Sequence, residues 1–144
     1  MKRLRLASSR ILVLVIVLAT VVPTTAIAQQ GNNAQVGSNW SRTELFFGTA
    51  IKGGGVVTDE QFRAFLDSEI TPRFPLGLTV LTGYGQFLNS AGVIQQERSF
   101  VLILLYPLSS QDSNTKIEEI RTLYKAAFNQ ESVLRTDTKH AVSF

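Results

Sequence analysis

The first candidate site is a pair of opposite charges spaced two residues apart. Arg42 and Glu44 flank Thr43 in an alternating run, so both side chains point to the same face of a strand, together with Phe46. A guanidinium and a carboxylate beside an aromatic ring could form the floor of a polar ligand pocket. The alternative is an exposed ion pair that contributes roughly 0–1 kcal/mol to stability.

A second candidate is Arg73, which occupies a stiff corner between Pro72 and Pro75. Loops held by a rigid scaffold often carry binding residues, and an arginine there can bind a carboxylate or phosphate through its forked donors. The favoured alternative is that Arg73 bonds carbonyls left open at the end of the preceding helix, or pairs with a nearby acid.

The remaining candidates lie on two consecutive strands. Tyr84 and Gln86 stand beside Gly83 and Gly85, whose missing side chains allow a ligand or another backbone to approach closely. The alternative there is a β-bulge with Tyr84 packed in an interface. Glu97 is the only acid of the third predicted strand, and burial would raise its pKa and suit it to acid–base catalysis. The favoured alternative is that Glu97 lies at the solvated end of the strand and pairs with an arginine.

Few other residues could perform chemistry. His140 is the only histidine and there is no cysteine, so we expect no metal site and no cofactor, and a thiol nucleophile is excluded. No Gly-x-Ser-x-Gly nucleophile turn is present. Three glycines follow Lys52, but a full phosphate-loop pattern is absent, which favours a flexible loop. The catalytic residues, if any exist, are unknown from the sequence.

Six predicted elements position these residues. Hydrophobic periodicity and turn residues predict strands over 40–49, 78–88 and 93–106, helices over 58–70 and 115–129, and a last strand over 133–135 that continues at 141–144 after a polar bend. Thr58 and Gln61 fit a capping box at the start of the first helix. Pro72 disfavours helical geometry at Thr71, so this helix should end near Ile70.

The order strand, helix, strand, strand, helix, strand predicts an α+β domain of the ferredoxin-like split βαβ type. It has a four-stranded antiparallel sheet with two helices on one face. The third strand is apolar on both faces, with Phe100, Leu102, Leu104 and Tyr106 on one and Val101, Ile103 and Leu105 on the other. Two helices cover only one face, so we expect a homodimer formed through the sheet faces.

The N-terminus has the pattern of an export signal. A basic start, an apolar run over 11–22 and the small-x-small end Ala26-Ile27-Ala28 predict a signal peptide over 1–28. A disordered tether over 29–39 and a single domain over 40–144 follow. We therefore expect a periplasmic or secreted protein with no stable membrane anchor after cleavage. An uncleaved anchor is the alternative.

Export also explains the charge. The chain carries 14 basic and 11 acidic residues, and four of the basic residues lie in the signal: Lys2, Arg3, Arg5 and Arg10. Removing them leaves ten basic residues against the same 11 acids. The basic character therefore belongs to export, and no nucleic-acid partner is expected.

Several stretches resemble a known family. The chain is similar to the bacterial exported family catalogued as domain of unknown function 3574 in the runs Trp40-Ser41-Arg42-Thr43-Glu44-Leu45-Phe46-Phe47-Gly48, Thr71-Pro72-Arg73-Phe74-Pro75, Gly77-Leu78-Thr79-Val80-Leu81, Gly85-Gln86 and Gln130-Glu131-Ser132-Val133-Leu134-Arg135. The resemblance implies export and a small single domain. It implies no activity.

Two functions follow as hypotheses. The favoured one is a non-catalytic binding or interaction module with an unknown small-molecule or protein partner. The alternative is a cofactor-free enzyme or small-molecule carrier with a polar pocket between sheet and helices. A closed apolar core would favour the module, and a cavity uniting Arg42, Glu44, Tyr84 or Glu97 would favour the enzyme or carrier.

Overall fold

A computed structural model describes residues 37–144, which form four strands and two helices. In chain order the elements are β1 (Ser38–Gly48), α1 (Asp59–Phe65), β2 (Leu78–Leu88), β3 (Ile94–Pro107), α2 (Ser113–Phe128) and β4 (Leu134–Val142). The signal peptide and most of the tether lie outside the described residues, so both stay predictions. No helix in this part of the chain is long and apolar enough to cross a membrane.

The strands form one antiparallel sheet in the order β2-β3-β1-β4. β1 pairs with β3 on one side and β4 on the other, so Leu45 lies between Leu102 and Arg135. Each helix connects two strands that are separated in the sheet by one other strand. This is the split βαβ arrangement, and the ferredoxin-like α+β prediction is confirmed.

Both helices pack on one face of the sheet and bury it completely at its centre. The even-numbered side chains of β3 point to the helices, and Leu102 and Leu104 are 0% exposed. Aromatic rings fill the middle of this core, with Phe62 stacked on Phe100 at a centroid distance of 3.9 Å and Tyr124 at 4.6 Å from Phe47. The space between sheet and helices is therefore a closed apolar core.

The start of α1 follows the prediction. The Thr58 hydroxyl accepts the Gln61 backbone N–H, and the Gln61 side chain accepts the Thr58 N–H, which completes the capping box. After Phe65 the helix widens into a π-helical turn, Leu66–Ile70, in which the Thr71 N–H donates to the Leu66 carbonyl at 2.8 Å.

The turn between α1 and β2 is held by hydrogen bonds to the Ile70 carbonyl. The N–H groups of Arg73 and Phe74 both donate to the Ile70 carbonyl, at 3.0 and 3.1 Å. These bonds turn the chain so that Phe74 enters the core, where it is 8% exposed and faces the Tyr106 ring. The helix therefore ends near Ile70 as predicted, but the predicted reason is wrong, because Thr71 before Pro72 keeps helical geometry with φ −55° and ψ −43°.

Strand boundaries differ from the sequence predictions at two places. β1 begins at Ser38, inside the predicted tether, because Ser38 and Asn39 pair with Val142 and Ala141. β4 runs without interruption through residues 136–140, which polarity suggested as a bend. These residues form an edge strand, and an edge in contact with water accepts polar side chains on both faces.

The β-bulge considered as the alternative for β2 is not present. Pairing with β3 keeps one register from Leu78 opposite Leu104 to Leu88 opposite Ile94, with Gly83 opposite Ser99 and Gly85 opposite Glu97. The two glycines leave the ladder intact, and their effect is to remove side chains from one face of the hairpin.

The second face of the sheet has no described element over it. It carries Val101, Ile103 and Leu105 of β3, which are partly exposed, and Leu81 of β2, which is 52% exposed. We call this surface the open face. The homodimer expected from these side chains stays a prediction.

Candidate functional site

The main cavity lies on the open face, at the end of the sheet where β1 stops and the β2–β3 hairpin extends beyond it. Its volume is about 630 Å³. The sheet contributes Phe46, Gly48, Gly83, Gly85, Glu97 and Val101, and the sides come from residues 50–52 and 129–132. The alternative hypothesis from the sequence placed a pocket between sheet and helices, and the cavity lies instead on the open face.

Glu97 lies in this cavity and is half-buried. Its Oε2 accepts the Ala50 N–H at 2.6 Å. Among the described residues no arginine or lysine pairs with it, so the predicted arginine partner is wrong. The reason is geometric: Arg98, its neighbour in sequence, points to the opposite face and bonds Asp59. One carboxylate oxygen of Glu97 is therefore fixed by the backbone, and the other has no hydrogen-bond partner in the described part of the chain.

Gly48 makes room for this carboxylate. A methyl group at Gly48 would overlap the Glu97 side chain, with its carbon about 2.8 Å from Cδ. From the helix side, the Tyr124 hydroxyl donates to the Gly48 carbonyl at 2.8 Å. Burial, and secondarily the charge of Glu97, raises the pKa of Tyr124 above its ordinary value. Gly48 is thus held by the core on one side and covered by Glu97 on the other.

The segment after α2 forms hydrogen bonds to residues 50–52, which make one side of the cavity. The Gln130 side chain donates to the Ala50 carbonyl at 2.8 Å, and the Asn129 side chain donates to the Lys52 carbonyl at 2.9 Å. Asn129 adopts a left-handed conformation, φ 48°, as the residue that ends α2. This turn directs residues 130–132 along the cavity. The end of α2 therefore holds residues 50–52, the segment after β1 whose Ala50 N–H bonds Glu97.

Glu131, on the opposite side of the cavity, is hydrogen-bonded to Ser90 in the loop of the β2–β3 hairpin. The Ser90 hydroxyl donates to Glu131 Oε1 at 2.7 Å, and this bond, followed by one from the Ser90 N–H, holds the pKa of Glu131 below its usual range. Lys52 also borders the cavity. The charged groups around the cavity are therefore two carboxylates and one ammonium, a net negative charge when both acids are ionised.

The rest of the lining is apolar and aromatic. Phe46 on β1 and Phe87 on β2 lie on the same face as Glu97, because Phe46 pairs with Val101 and Phe87 pairs with Gln95. Gly83 and Gly85 add no side chain between them. The cavity therefore offers two aromatic rings and a single carboxylate at its base, a combination that suits an organic cation.

Tyr84 and Gln86 also border the cavity. Alternation along β2 directs their side chains to the face opposite Gly83 and Gly85, and Tyr84 is 72% exposed with its hydroxyl 3.5 Å from Gln96. Of the sequence candidates, Tyr84, Gln86 and Glu97 all border the cavity, but strand alternation directs only the Glu97 side chain into it.

Arg42 and Glu44 lie outside the cavity. Their side chains form an ion pair on the open face, with Nη2 and Nε of Arg42 at 2.6 and 2.9 Å from Glu44 Oε1. Phe46, predicted as their neighbour in a polar pocket, does reach the cavity. The pair lies nearer the middle of the strand, two and four residues before Phe46.

Arg73 does not face the cavity either. Its Nη1 donates to the Glu69 carbonyl at 2.5 Å and to Glu69 Oε2 at 3.0 Å, and its Nε donates to Glu119 Oε2 at 3.2 Å. The arginine therefore closes the end of the π-helical turn and connects it to α2, as the favoured alternative expected.

Metal ligands do not gather in the described residues, where no group of three or more His, Asp or Glu side chains could hold an ion. His140 lies in β4 and its Nε2 is 2.8 Å from the Thr138 hydroxyl. Sequence reasoning missed Gly48, Phe87, Gln130 and Glu131. The last two lie in the closing motif Gln130-Glu131-Ser132-Val133-Leu134-Arg135, and their polar types in a helix-to-strand turn were the available signal.

The fold and site define a ferredoxin-like α+β domain with a ligand-sized cavity on the face that its helices leave open. The chain belongs to the family described as protein of unknown function (DUF3574), whose model matches residues 42–144. This confirms the family suggested by the sequence. A search of curated proteins finds no match.

Two solved structures share the fold. One is a phage SAM lyase in complex with S-methyl-5'-thioadenosine, at 18% identity and a TM-score of 0.60, covering 74% of this chain and 84% of that one. The other is a phage SAM lyase in the apo state, at 18% identity and a TM-score of 0.55, covering 71% and 82%. At this identity the similarity establishes the fold alone.

Proposed function

We propose that the protein is a ligand-binding domain that holds a small organic cation in the cavity over Glu97. The observation that carries the proposal is the Glu97 carboxylate, which is fixed by the Ala50 N–H through one oxygen and directs the other to no described donor. A partly buried carboxylate gains from a nearby positive charge or further donors, and the second oxygen of Glu97 is accessible to a ligand, since no buried side-chain polar atom among the described residues lacks a partner. A cationic ligand would supply that charge.

The surrounding residues support a ligand with a planar or apolar part. Phe46 and Phe87 line the same cavity, and aromatic faces attract cations within about 6 Å of the ring centroid. A volume of about 630 Å³ falls within the usual range for small-molecule sites, roughly 300–1,000 Å³. Lys52 and Glu131 at the edge add one charge of each sign, which leaves Glu97 as the unbalanced one.

The structural neighbours suggest which cation to test first. The phage enzyme is named for SAM, a sulfonium cation, and was solved with S-methyl-5'-thioadenosine, which carries the same nucleoside on a neutral sulfur. The two compounds share the nucleoside, but SAM carries in addition the sulfonium charge and an amino-acid chain. S-methyl-5'-thioadenosine therefore probes recognition of the nucleoside, and choline, a cation with neither nucleoside nor amino acid, probes recognition of the charge.

Titration calorimetry with SAM, S-methyl-5'-thioadenosine and choline tests the proposal. We expect a cation to bind, and Glu97→Gln to weaken its affinity about 10- to 100-fold, since a hydrogen bond or contact to a charged group contributes about 1.5–3 kcal/mol. Binding of the neutral thioether should change little. Glu131→Gln is the matched control, because it removes the same charge at the edge of the cavity. Equal losses in both variants, or no binding of either cation, would contradict the proposal.

A second candidate function is a cofactor-free enzyme. The observation that favours it is the same Glu97 oxygen, which lies inside a ligand-sized cavity and could accept a proton or stabilise developing positive charge. Incubation with SAM followed by chromatography for S-methyl-5'-thioadenosine tests this function. Turnover by the native protein that Glu97→Gln abolishes would support the enzyme. Binding of SAM without turnover would contradict the enzyme and favour the ligand-binding function.

We also propose that the chain is exported and processed. The support is the basic start, the apolar run and Ala26-Ile27-Ala28. Mass spectrometry of the protein recovered outside the cytoplasm should find a new N-terminus near Gln29. Recovery of the intact chain from the membrane fraction would favour the uncleaved anchor.

A further inference from the structure

We infer that the open face is the contact surface for a second copy of this chain, arranged with twofold symmetry about the Arg42–Glu44 ion pair. The surface consists of Val101, Ile103 and Leu105 on β3, Leu81 on β2, and the ion pair on β1. Val101 also lines the cavity, so the contact surface adjoins the proposed ligand site, but dimerisation itself requires no ligand.

The apolar half of the surface is the first observation. Ile103 pairs with Glu44 on one side and with Thr79 on the other, and Leu81 stands beside Val101. Val101, Ile103 and Leu105 form an apolar strip along β3, which Leu81 extends onto β2 beside Val101 and which no described element covers. Contiguous apolar surface of this kind on a small domain marks an interaction site.

The charges on the β1 side of the surface identify the occupant. Arg42 and Glu44 are 33% and 28% exposed and lie two residues apart on β1. In a twofold interface residue i meets residue j and residue j meets residue i. Arg42 of one copy can therefore face Glu44 of the partner subunit, and the reverse contact forms at the same time. A surface carrying one charge of each sign is complementary to itself.

The chain's own N-terminal segment is a poorer occupant. Residues 29–36 read Gln-Gln-Gly-Asn-Asn-Ala-Gln-Val and contain one large apolar side chain, Val36. This segment cannot replace a facing sheet that supplies Val101, Ile103 and Leu105 a second time. The open face of a second copy presents the same apolar strip, so the two strips match in length and polarity.

Two charge variants test the inference. Arg42→Glu gives a face with two acids, and Glu44→Arg gives a face with two bases. Each variant alone should dimerise at least about tenfold more weakly than the native protein, because like charges meet across the interface. An equimolar mixture should form a heterodimer with near-native affinity. Both positions are partly exposed, so circular dichroism should show native folding in each variant.

The measurements are sedimentation velocity and light scattering over a wide concentration range. A native dimer, monomeric single variants and a restored mixed dimer would establish the contact. A native protein that stays monomeric at high concentration would overturn the inference. A dimer whose affinity is the same in both charge variants would also overturn it, since the contact would then use another surface. Ile103→Glu, an apolar position on the same face, provides an independent disruption and should yield monomer.

Discussion

The two faces of the sheet use neighbouring residues of the same strands in opposite ways. Leu104 is 0% exposed under the helices, and Leu105, the next residue, is partly exposed on the open face. On the helix side the polar groups satisfy one another: Thr43, itself buried, bonds both Tyr106 and Asp137. On the open face Glu97 keeps an oxygen without a described partner. The helix-covered face therefore contains the buried core, and the open face carries an accessible carboxylate.

The largest expected difference between the faces is energetic. Leu104→Ala should lower the free energy of unfolding by about 2–5 kcal/mol, because it removes a fully buried side chain and leaves a cavity. Leu105→Ala should cost about 1 kcal/mol in the monomer, since part of that side chain is already in water. Urea unfolding in dilute solution measures both. Equal costs would mean that the open face is packed as tightly as the core.

The next effect should appear in binding. Gly48→Ala places a methyl group against the Glu97 carboxylate and must displace it. We expect about a tenfold loss of cation affinity, equivalent to about 1.4 kcal/mol, and a loss of stability of about 0.5–1.5 kcal/mol from the weakened bond between the Ala50 N–H and Glu97. Gly85→Ala is the matched control, since its methyl enters the same cavity and meets only the Ser99 hydroxyl, at 3.9 Å. Similar losses in both variants would indicate simple filling of the cavity.

Tyr124 links the faces and should give a pH-dependent signal. Its raised pKa means that the folded state keeps the proton when the unfolded state loses it, above about pH 10. Stability should therefore be full below that pH and fall as pH rises beyond it. Tyr124→Phe should cost about 0.5–1.5 kcal/mol near neutral pH and flatten the alkaline decline. Urea midpoints between pH 7 and pH 11 test this, and an unchanged alkaline slope would contradict it.

The smallest effect should follow from Arg73. Its bonds to Glu69 and Glu119 are partly exposed, so Arg73→Ala should lower stability by about 1 kcal/mol or less. Ligand affinity should not change, because the side chain lies away from the cavity. A large loss of binding in this variant would reopen the interpretation of the corner as a ligand site.

Much of the scaffold could be predicted because it rests on local rules. The capping box at Thr58, the end of the helix near Ile70 and the alternation of Leu102 and Ile103 depend on a few adjacent residues each. β4 was harder, because an edge strand in water leaves no apolar alternation in residues 136–140. The π-helical turn also has no local signature in this sequence.

The site was predictable only in part, because its geometry is made by distant segments. Glu97 was selected as the single acid of its strand, yet its partner is the Ala50 N–H, a backbone group that the sequence does not mark. Gln130 acts through the Ala50 carbonyl, 80 residues away in the chain. Arg42 and Glu44 were grouped with Phe46 by alternation, but alternation fixes the face and not the position along it.

One glycine has a consequence for how this protein could change over time. The Gly48 carbonyl accepts a hydrogen bond from Tyr124 in the core, and the Glu97 carboxylate lies against Gly48 on the cavity side. One residue is therefore part of both the core and the cavity. A substitution that repacks the helices around Tyr124 would move this unit and alter what the cavity accepts. Selection for thermal robustness and selection for ligand choice would therefore act on the same atoms, and a variant improved in one would need retesting in the other.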